Sequence, residues 1–261
     1  MITAQELVAS YNKRQAGSAH ARSIALMKFL SKVSTRAHMG EHVYVVGGAV
    51  RNFILNVPIK DIDVVVDSVA AGKGRDSEWF AKQVQNAIPT SVNLTTNQYG
   101  VAILTVKGSW ILDGEDMQGE VIEIANARKE SYGGAEGKGF KPHMVEPATV
   151  EEDVVRREFT VNTLLWRMLD LANGPDRAEI LDLTGRGLKD LKDGVMATPK
   201  DPDIVFSDDP TRMLRLIRFQ TKYGFKVPPD VALSVKKNAH KLKNVPWEAV
   251  ATLLMKILDG D

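Results

Sequence analysis

The chain has no cysteine among its 261 residues, which removes disulfide staples, thiol nucleophiles and cysteine-ligated zinc from the chemistry open to it. No apolar run approaches the roughly 20 residues that a bilayer-spanning helix needs. No signal peptide with a hydrophobic centre opens the sequence. The expected compartment is the cytoplasm, with no membrane partner. Internal repeats are absent, and so is a Walker-type phosphate loop: the lysine of Gly72-Lys73-Gly74 is followed by glycine, and the spacing before it is wrong. Acids are scarce over residues 1–40, a mild likeness to a transit peptide. A folded helical arm is the preferred reading there, because no cleavage-like linker separates it from the first strand.

What is present is enough for a proper core, with 44% hydrophobic residues in a length that suits one large domain or two small ones. The net charge of +1 conceals an asymmetry: residues 211–261 hold ten Lys/Arg against four Asp/Glu. A basic face of this kind suits a polyanion such as RNA, although a set of solvated helices carries such charge equally well. In residues 1–40, Ile24, Leu26, Phe29, Leu30 and Val33 form a helical apolar stripe. His38 and His42 are four apart but have no Glu or Cys pattern beside them, so they read as surface histidines.

The informative stretch is Val43 to Asp67, VYVVGGAVRNFILNVPIKDIDVVVD. A β-branched run, Val43 to Val46, is broken by Gly47-Gly48; Val50 to Leu55 suits a short helix, and Asp61 to Val66 a second strand. Side chains alternate along a strand, so Asp61 and Asp63 project from one side while Ile62 and Val64 take the other. Hard carboxylate oxygens in such a pair suit Mg²⁺. An isolated Asp-x-Asp is more often a solvated strand edge. The Gly-Gly turn before a helix shifts the balance, since backbone N–H groups at a helix N-terminus seat phosphate well.

This stretch resembles the signature of the nucleotidyltransferase superfamily, and specifically of class II tRNA CCA-adding enzymes and bacterial-type poly(A) polymerases. Their pattern is an apolar strand, Gly-Gly-x-Val-Arg-Asp, then Asp-x-Asp; Asn52 stands here in place of the last Asp of the first motif. Further matches follow in order. Glu123-Ile124-Ala125-Asn126-Ala127-Arg128 resembles the strand that brings a third metal-binding acid. Arg156-Arg157-Glu158-Phe159-Thr160-Val161-Asn162 resembles Arg-Arg-Asp-Phe-Thr-x-Asn, with Glu158 for Asp. Asp208-Asp209-Pro210-Thr211-Arg212 resembles Glu-Asp-x-x-Arg, with Asp208 for Glu. The resemblance runs over residues 41–245.

The resemblance implies an α/β (α+β) nucleotidyltransferase head with a mixed sheet, followed by an all-helical neck. The corresponding spans are an N-terminal arm at 1–40, the catalytic head at 41–170 and a C-terminally short neck at 171–261. Two Mg²⁺ ions would be held by Asp61, Asp63 and Glu123. Gly47, Gly48 and Arg51 would seat the triphosphate, Arg157 and Asn162 the ribose, and Asp209 with Arg212 the base. Arg215, Arg218 and Lys222 are candidates for RNA contact. Lys129 to Pro147, rich in glycine, reads as a lid-like loop. Phe159, Val161 and Leu164 read as core.

The implied reaction transfers a nucleoside monophosphate from ATP, and from CTP, to an RNA 3′-hydroxyl with release of pyrophosphate. Addition or repair of the tRNA 3′ CCA end is the first reading and poly(A) synthesis the second; a catalytically silent RNA-binding relative is a third. A homodimer is a further expectation for so short a neck.

Overall fold

The computed structural model describes residues 20–132 and 142–260. The start of the N-terminal arm, and the loop glycines Gly133, Gly134, Gly137 and Gly139 with Lys138 and Lys141, lie outside the described residues. In chain order, the elements begin with α1 (Ala21–Arg36), β1 (Val43–Val46), α2 (Gly48–Leu55), β2 (Ile62–Val66), α3 (Ser68–Ala71) and α4 (Ser77–Ala87). There follow β3 (Val92–Thr96), β4 (Ala102–Val106), β5 (Ile111–Leu112), β6 (Glu115–Asp116), β7 (Val121–Asn126), β8 (Arg128–Ser131), β9 (Met144–Pro147) and α5 (Val150–Val155). The chain continues through β10 (Leu165–Arg167), β11 (Ile180–Leu181), α6 (Gly187–Asp193) and α7 (Pro202–Asp208). It closes with α8 (Thr211–Tyr223), α9 (Pro229–Asn238) and α10 (Trp247–Leu258).

These elements divide into two compact units, one of residues 1–128, 147–151 and 164–183, the other of residues 129–146, 152–163 and 184–261. The first contains a seven-stranded sheet in the order β11-β10-β1-β2-β7-β4-β3. It is mixed: β2 and β7 run parallel, while β1 with β2 and β4 with β7 are antiparallel. The expected α+β head fold is what forms. Alternation decides its faces. Ile62, Ile122 and Leu104 are neighbours in register and fully buried or nearly so, which leaves Asp63 and Glu123 on the opposite, exposed face. Helix α4 starts at Asp76, whose side chain accepts from the Trp79 N–H (2.9 Å). It buries Phe80, Ala81 and Val84. Helix α1 buries Leu26, Leu30 and Val33 of the stripe read from the sequence, together with Met27, while Ile24 and Phe29 are half-buried.

Asp67 at the end of β2 is 3% exposed. Its Oδ1 accepts from the Ala70 N–H (2.9 Å) and its Oδ2 from the Val150 N–H (2.9 Å), so one buried carboxylate caps both α3 and the first residue of α5.

The second unit is helical apart from the β8 and β9 pair. Its core includes Phe206, Met213, Leu216 and Phe219, and Phe159 meets Phe219 edge-on at 5.8 Å. Phe159 and Val161 here, and Leu164 in the first unit, are completely buried, in keeping with their reading as core. Helix α5 does not run on through the motif at residues 156–162. It stops at Val155, Phe159 is extended, and Thr160–Asn162 make one 3₁₀ turn. The Thr160 hydroxyl donates to buried Asp190 (2.7 Å), a tertiary bond that the continued helix would not supply. Among the described residues, no helix is long and apolar enough to cross a membrane. No residue of α10 is buried, and Trp247, Leu254, Met255 and Leu258 are exposed on it.

Candidate active site

In the first unit, β2 and β7 run side by side, and their register pairs Asp63 with Glu123. Adjacent strands lie about 4.8 Å apart, so these carboxylates start from neighbouring points on one face. Asp61 sits just before β2 and, two residues from Asp63, projects to the same exposed side. The shared field registers on Glu123: partial burial first, then the charges of Asp63 and Asp61, push its carboxyl above the usual glutamate range. Among the described residues, no three acidic, histidine or cysteine side chains form a ready-made coordination cage. The three acids share a face and a field, with hard oxygen donors that fit Mg²⁺.

Beside them is the glycine turn. Gly47 has φ +72°, a conformation that side-chain-bearing residues rarely adopt, and it caps α2. Its N–H donates to the Leu164 carbonyl (3.1 Å), so its part is to turn the chain while the next N–H groups, from Gly48 onward, head the helix. Arg51, 6% exposed, gives two hydrogen bonds to Asn52 Oδ1, from Nε (3.1 Å) and Nη2 (2.8 Å). The Asn52 amide Nδ2 in turn donates to the Pro58 carbonyl (3.1 Å). Aspartate has no such donor. Asn52 therefore ties Arg51 to the loop leading to Asp61 without cancelling the guanidinium charge.

The remaining candidates fall in the second unit. Asp153 grips two arginines: Arg156 donates from Nε and Nη2 to its Oδ1 (2.9 and 2.7 Å), and Arg157 from Nε and Nη2 to its Oδ2 (3.2 and 2.9 Å). Burial pushes Asp153 up, but Arg157 and Arg156 outweigh it and hold the carboxyl below the usual range. Arg156 also pairs with Glu130 (3.0 Å). Arg157 is thus held as a fixed fork against Asp153.

Glu158 is buried, and its Oε1 accepts from Asn162 Nδ2 (3.0 Å) and pairs with Arg215 Nη2 (2.8 Å). Burial opposes its ionisation, yet Arg215, a backbone hydrogen bond, Arg212 and Arg157 bring its pKa down to about 2. Arg215 therefore spends its charge on Glu158 inside the unit. Arg218 lies over Phe219 and Lys222 over Tyr223, each at 5.8 Å from the ring centroid. All three cations lie on one face of α8 by helical period.

Asp209 lies outside the helix that carries Arg212. It precedes α8 in an extended conformation, and its Oδ1 accepts from the Thr211 N–H (2.9 Å) and hydroxyl (2.6 Å). Its Oδ2 faces Arg212 Nε at 3.9 Å. Arg212 is 6% exposed, and its other polar contacts are long: Nη1 to the Val205 carbonyl at 3.4 Å and Nη2 to Tyr132 Oη at 3.5 Å. A nearly buried guanidinium so loosely engaged suits an added acceptor, such as a base edge. Asp208, raised by burial against the pull of Arg212 and Lys200, ends α7.

Sequence reading missed Asp153 and Tyr132, and noted Asn52 only as a departure from the motif. For Asp153 the signal was present, since it stands three and four residues before Arg156 and Arg157. For Tyr132 there was none, because its contact with Arg212 spans 80 residues.

The family model for the poly(A) polymerase head domain matches residues 43–197. A CCA-adding enzyme of Ligilactobacillus salivarius is 30% identical over 221 residues, covering 85% of this chain and 46% of the relative. Poly(A) polymerase I of Escherichia coli is 28% identical over 221 residues, 85% of this chain and 43% of the relative. The solved Thermotoga maritima CCA-adding enzyme complexed with tRNA superposes with a TM-score of 0.69 at 25% identity, over 96% of this chain and 50% of the other. The chain spans about half the length of the relatives it matches.

Proposed function

This chain belongs to the poly(A) polymerase head-domain family, and from that premise we propose that it transfers nucleoside monophosphates from ATP and CTP to an RNA 3′-hydroxyl, releasing pyrophosphate. The observation that carries the reading is the pairing of Asp63 with Glu123 across parallel strands, with Asp61 on the same side. These three hold Mg²⁺, and two such ions would supply Lewis-acid stabilisation of the attacking and leaving oxygens. Arg51, oriented by Asn52, and the N–H groups opening α2 bind the triphosphate. The Arg157 fork and the Asn162 amide orient the ribose, and Asp209 with Arg212 reads the base. Arg218 and Lys222 contact the RNA backbone; Arg215, already paired with Glu158, supports them from the same helix face.

The proposed acceptor is a tRNA lacking its 3′ CCA end, in the cytoplasm. The matched relatives include a poly(A) polymerase at nearly the same identity, which makes an A-only tail the second reading. Purified protein incubated with truncated tRNA, Mg²⁺, and ATP and CTP singly and together separates them. Ordered C-then-A addition supports CCA synthesis and an A-only tail the second reading; no addition under any condition overturns both. Self-association through the exposed side of α10 gives a homodimer in this proposal, and the mass in solution measures it.

A further inference from the structure

We infer that Tyr132 is a nucleotide-selecting residue: it fixes the plane and rotation of the Arg212 guanidinium and so decides which base edge that arginine meets. The inference rests on the reading of Arg212 as the base-contacting residue and goes beyond it, because Tyr132 lies in the Lys129 to Pro147 segment, outside the motifs assigned to metal, phosphate, sugar and base.

The Arg212 guanidinium carbon lies 5.8 Å from the centroid of the Tyr132 ring, within the range of a cation–π contact. At 3.5 Å the bond from Arg212 Nη2 to Tyr132 Oη is long, so the ring face is the main hold and the hydroxyl the finer one. The hydroxyl has a single proton, and it is committed: Tyr132 donates to Glu130 Oε2 at 2.6 Å. Towards Arg212 the oxygen can therefore only accept. Burial, then the bond to Glu130, raises the phenol's pKa further above its ordinary value, which keeps that proton in place. The other oxygen of Glu130 takes Arg156 (3.0 Å), Arg156 shares Asp153 with Arg157, and the row ends at the arginine assigned to the sugar. The residues read as sugar and base contacts thus belong to one connected set of ion pairs and hydrogen bonds, and Tyr132 is its last link before Arg212.

Adenine offers one acceptor and one donor on its Watson–Crick edge, whereas cytosine offers two acceptors and one donor. A guanidinium turned by a fraction of a bond length meets these patterns differently. The ring holds its plane, and the phenolic oxygen its rotation about the stacking axis.

The test offers the four ribonucleoside triphosphates singly to the full-length protein and an RNA 3′ end, and compares KM and kcat for each. Tyr132→Phe keeps the ring and removes both the acceptor facing Arg212 and the donor to Glu130; discrimination between preferred and disfavoured nucleotides should change about three- to tenfold, chiefly through KM. Tyr132→Ala removes both holds and should change it more. Thermal unfolding of each variant shows whether the fold is kept, and Tyr132→Phe should remain folded at the assay temperature with a modestly lowered transition. An equal loss for all four nucleotides, or no change in Tyr132→Phe, overturns the inference. Arg212→Lys is measured in parallel: if it leaves discrimination untouched, the underlying base reading fails. If Arg212→Lys moves discrimination and Tyr132→Phe does not, only the role of Tyr132 fails.

Discussion

The two units handle charge in opposite ways. In the sheet unit, Asp61, Asp63 and Glu123 are exposed acids gathered on one face by strand register, and their mutual field raises Glu123. In the helical unit, Asp153 and Glu158 are buried, each is crossed by arginine donors, and both are held below the usual carboxylate range. The exposed acids share one face and a repulsive field; the buried ones are held by arginines. A substitution in the first set should therefore remove activity with little effect on folding, and one in the second should act on stability first.

The largest effect should come from Asp63→Asn, which removes one of the oxygens proposed to hold Mg²⁺: nucleotide addition falls about 10³-fold or more, roughly 4 kcal/mol or more of transition-state stabilisation. The unfolding temperature should stay within a degree or two of the parent. Near-parental activity would break the comparison on the sheet side. Next is Glu158→Ala, which strands Arg215 beside a buried site and frees the Asn162 amide; chemical denaturation should record a loss of about 3–5 kcal/mol.

Acid offers a milder version of the same experiment. The Glu158 pKa is about 2 in the folded chain, against 4.5 ordinarily. Its contribution is then complete above the unfolded value and is lost as pH falls through the folded one, amounting to on the order of 3 kcal/mol between those limits. Glu158→Gln should flatten that part of the stability–pH curve, and an unchanged curve would count against the buried pairing. The smallest effect is expected of Asn52→Asp, which keeps an acceptor for Arg51, loses the donor to the Pro58 carbonyl and adds a neutralising charge. KM for the nucleotide should rise about three- to tenfold with kcat nearly unchanged. An unchanged KM would separate Asn52 from triphosphate binding.

Legibility followed the range of the interactions involved. The face shared by Asp61 and Asp63 could be read directly, because a strand alternates with period two and nothing distant is needed. Glu123 came from the order of motifs, whereas its pairing with Asp63 is a register between segments 60 residues apart. That Asp209 lies outside α8 was not legible, because a Pro at the next position suits a first helical turn as well as the cap position it takes here. That the motif at residues 156–162 breaks from α5 has a tertiary reason: Thr160 bonds to Asp190, 30 residues away.

The sequence by itself determined the alternation of the strands, the glycine turn with its positive φ, the acids on one strand side and the family pattern that names them as a set. Those are local properties, dictated by backbone sterics and a two-residue period. Tertiary structure alone decided that Arg215 answers Glu158, that Asn52 links Arg51 to Pro58, and that Tyr132 lies against Arg212. Which partner a long charged side chain takes depends on burial and on chain segments brought together from afar, and local spacing carries no record of either.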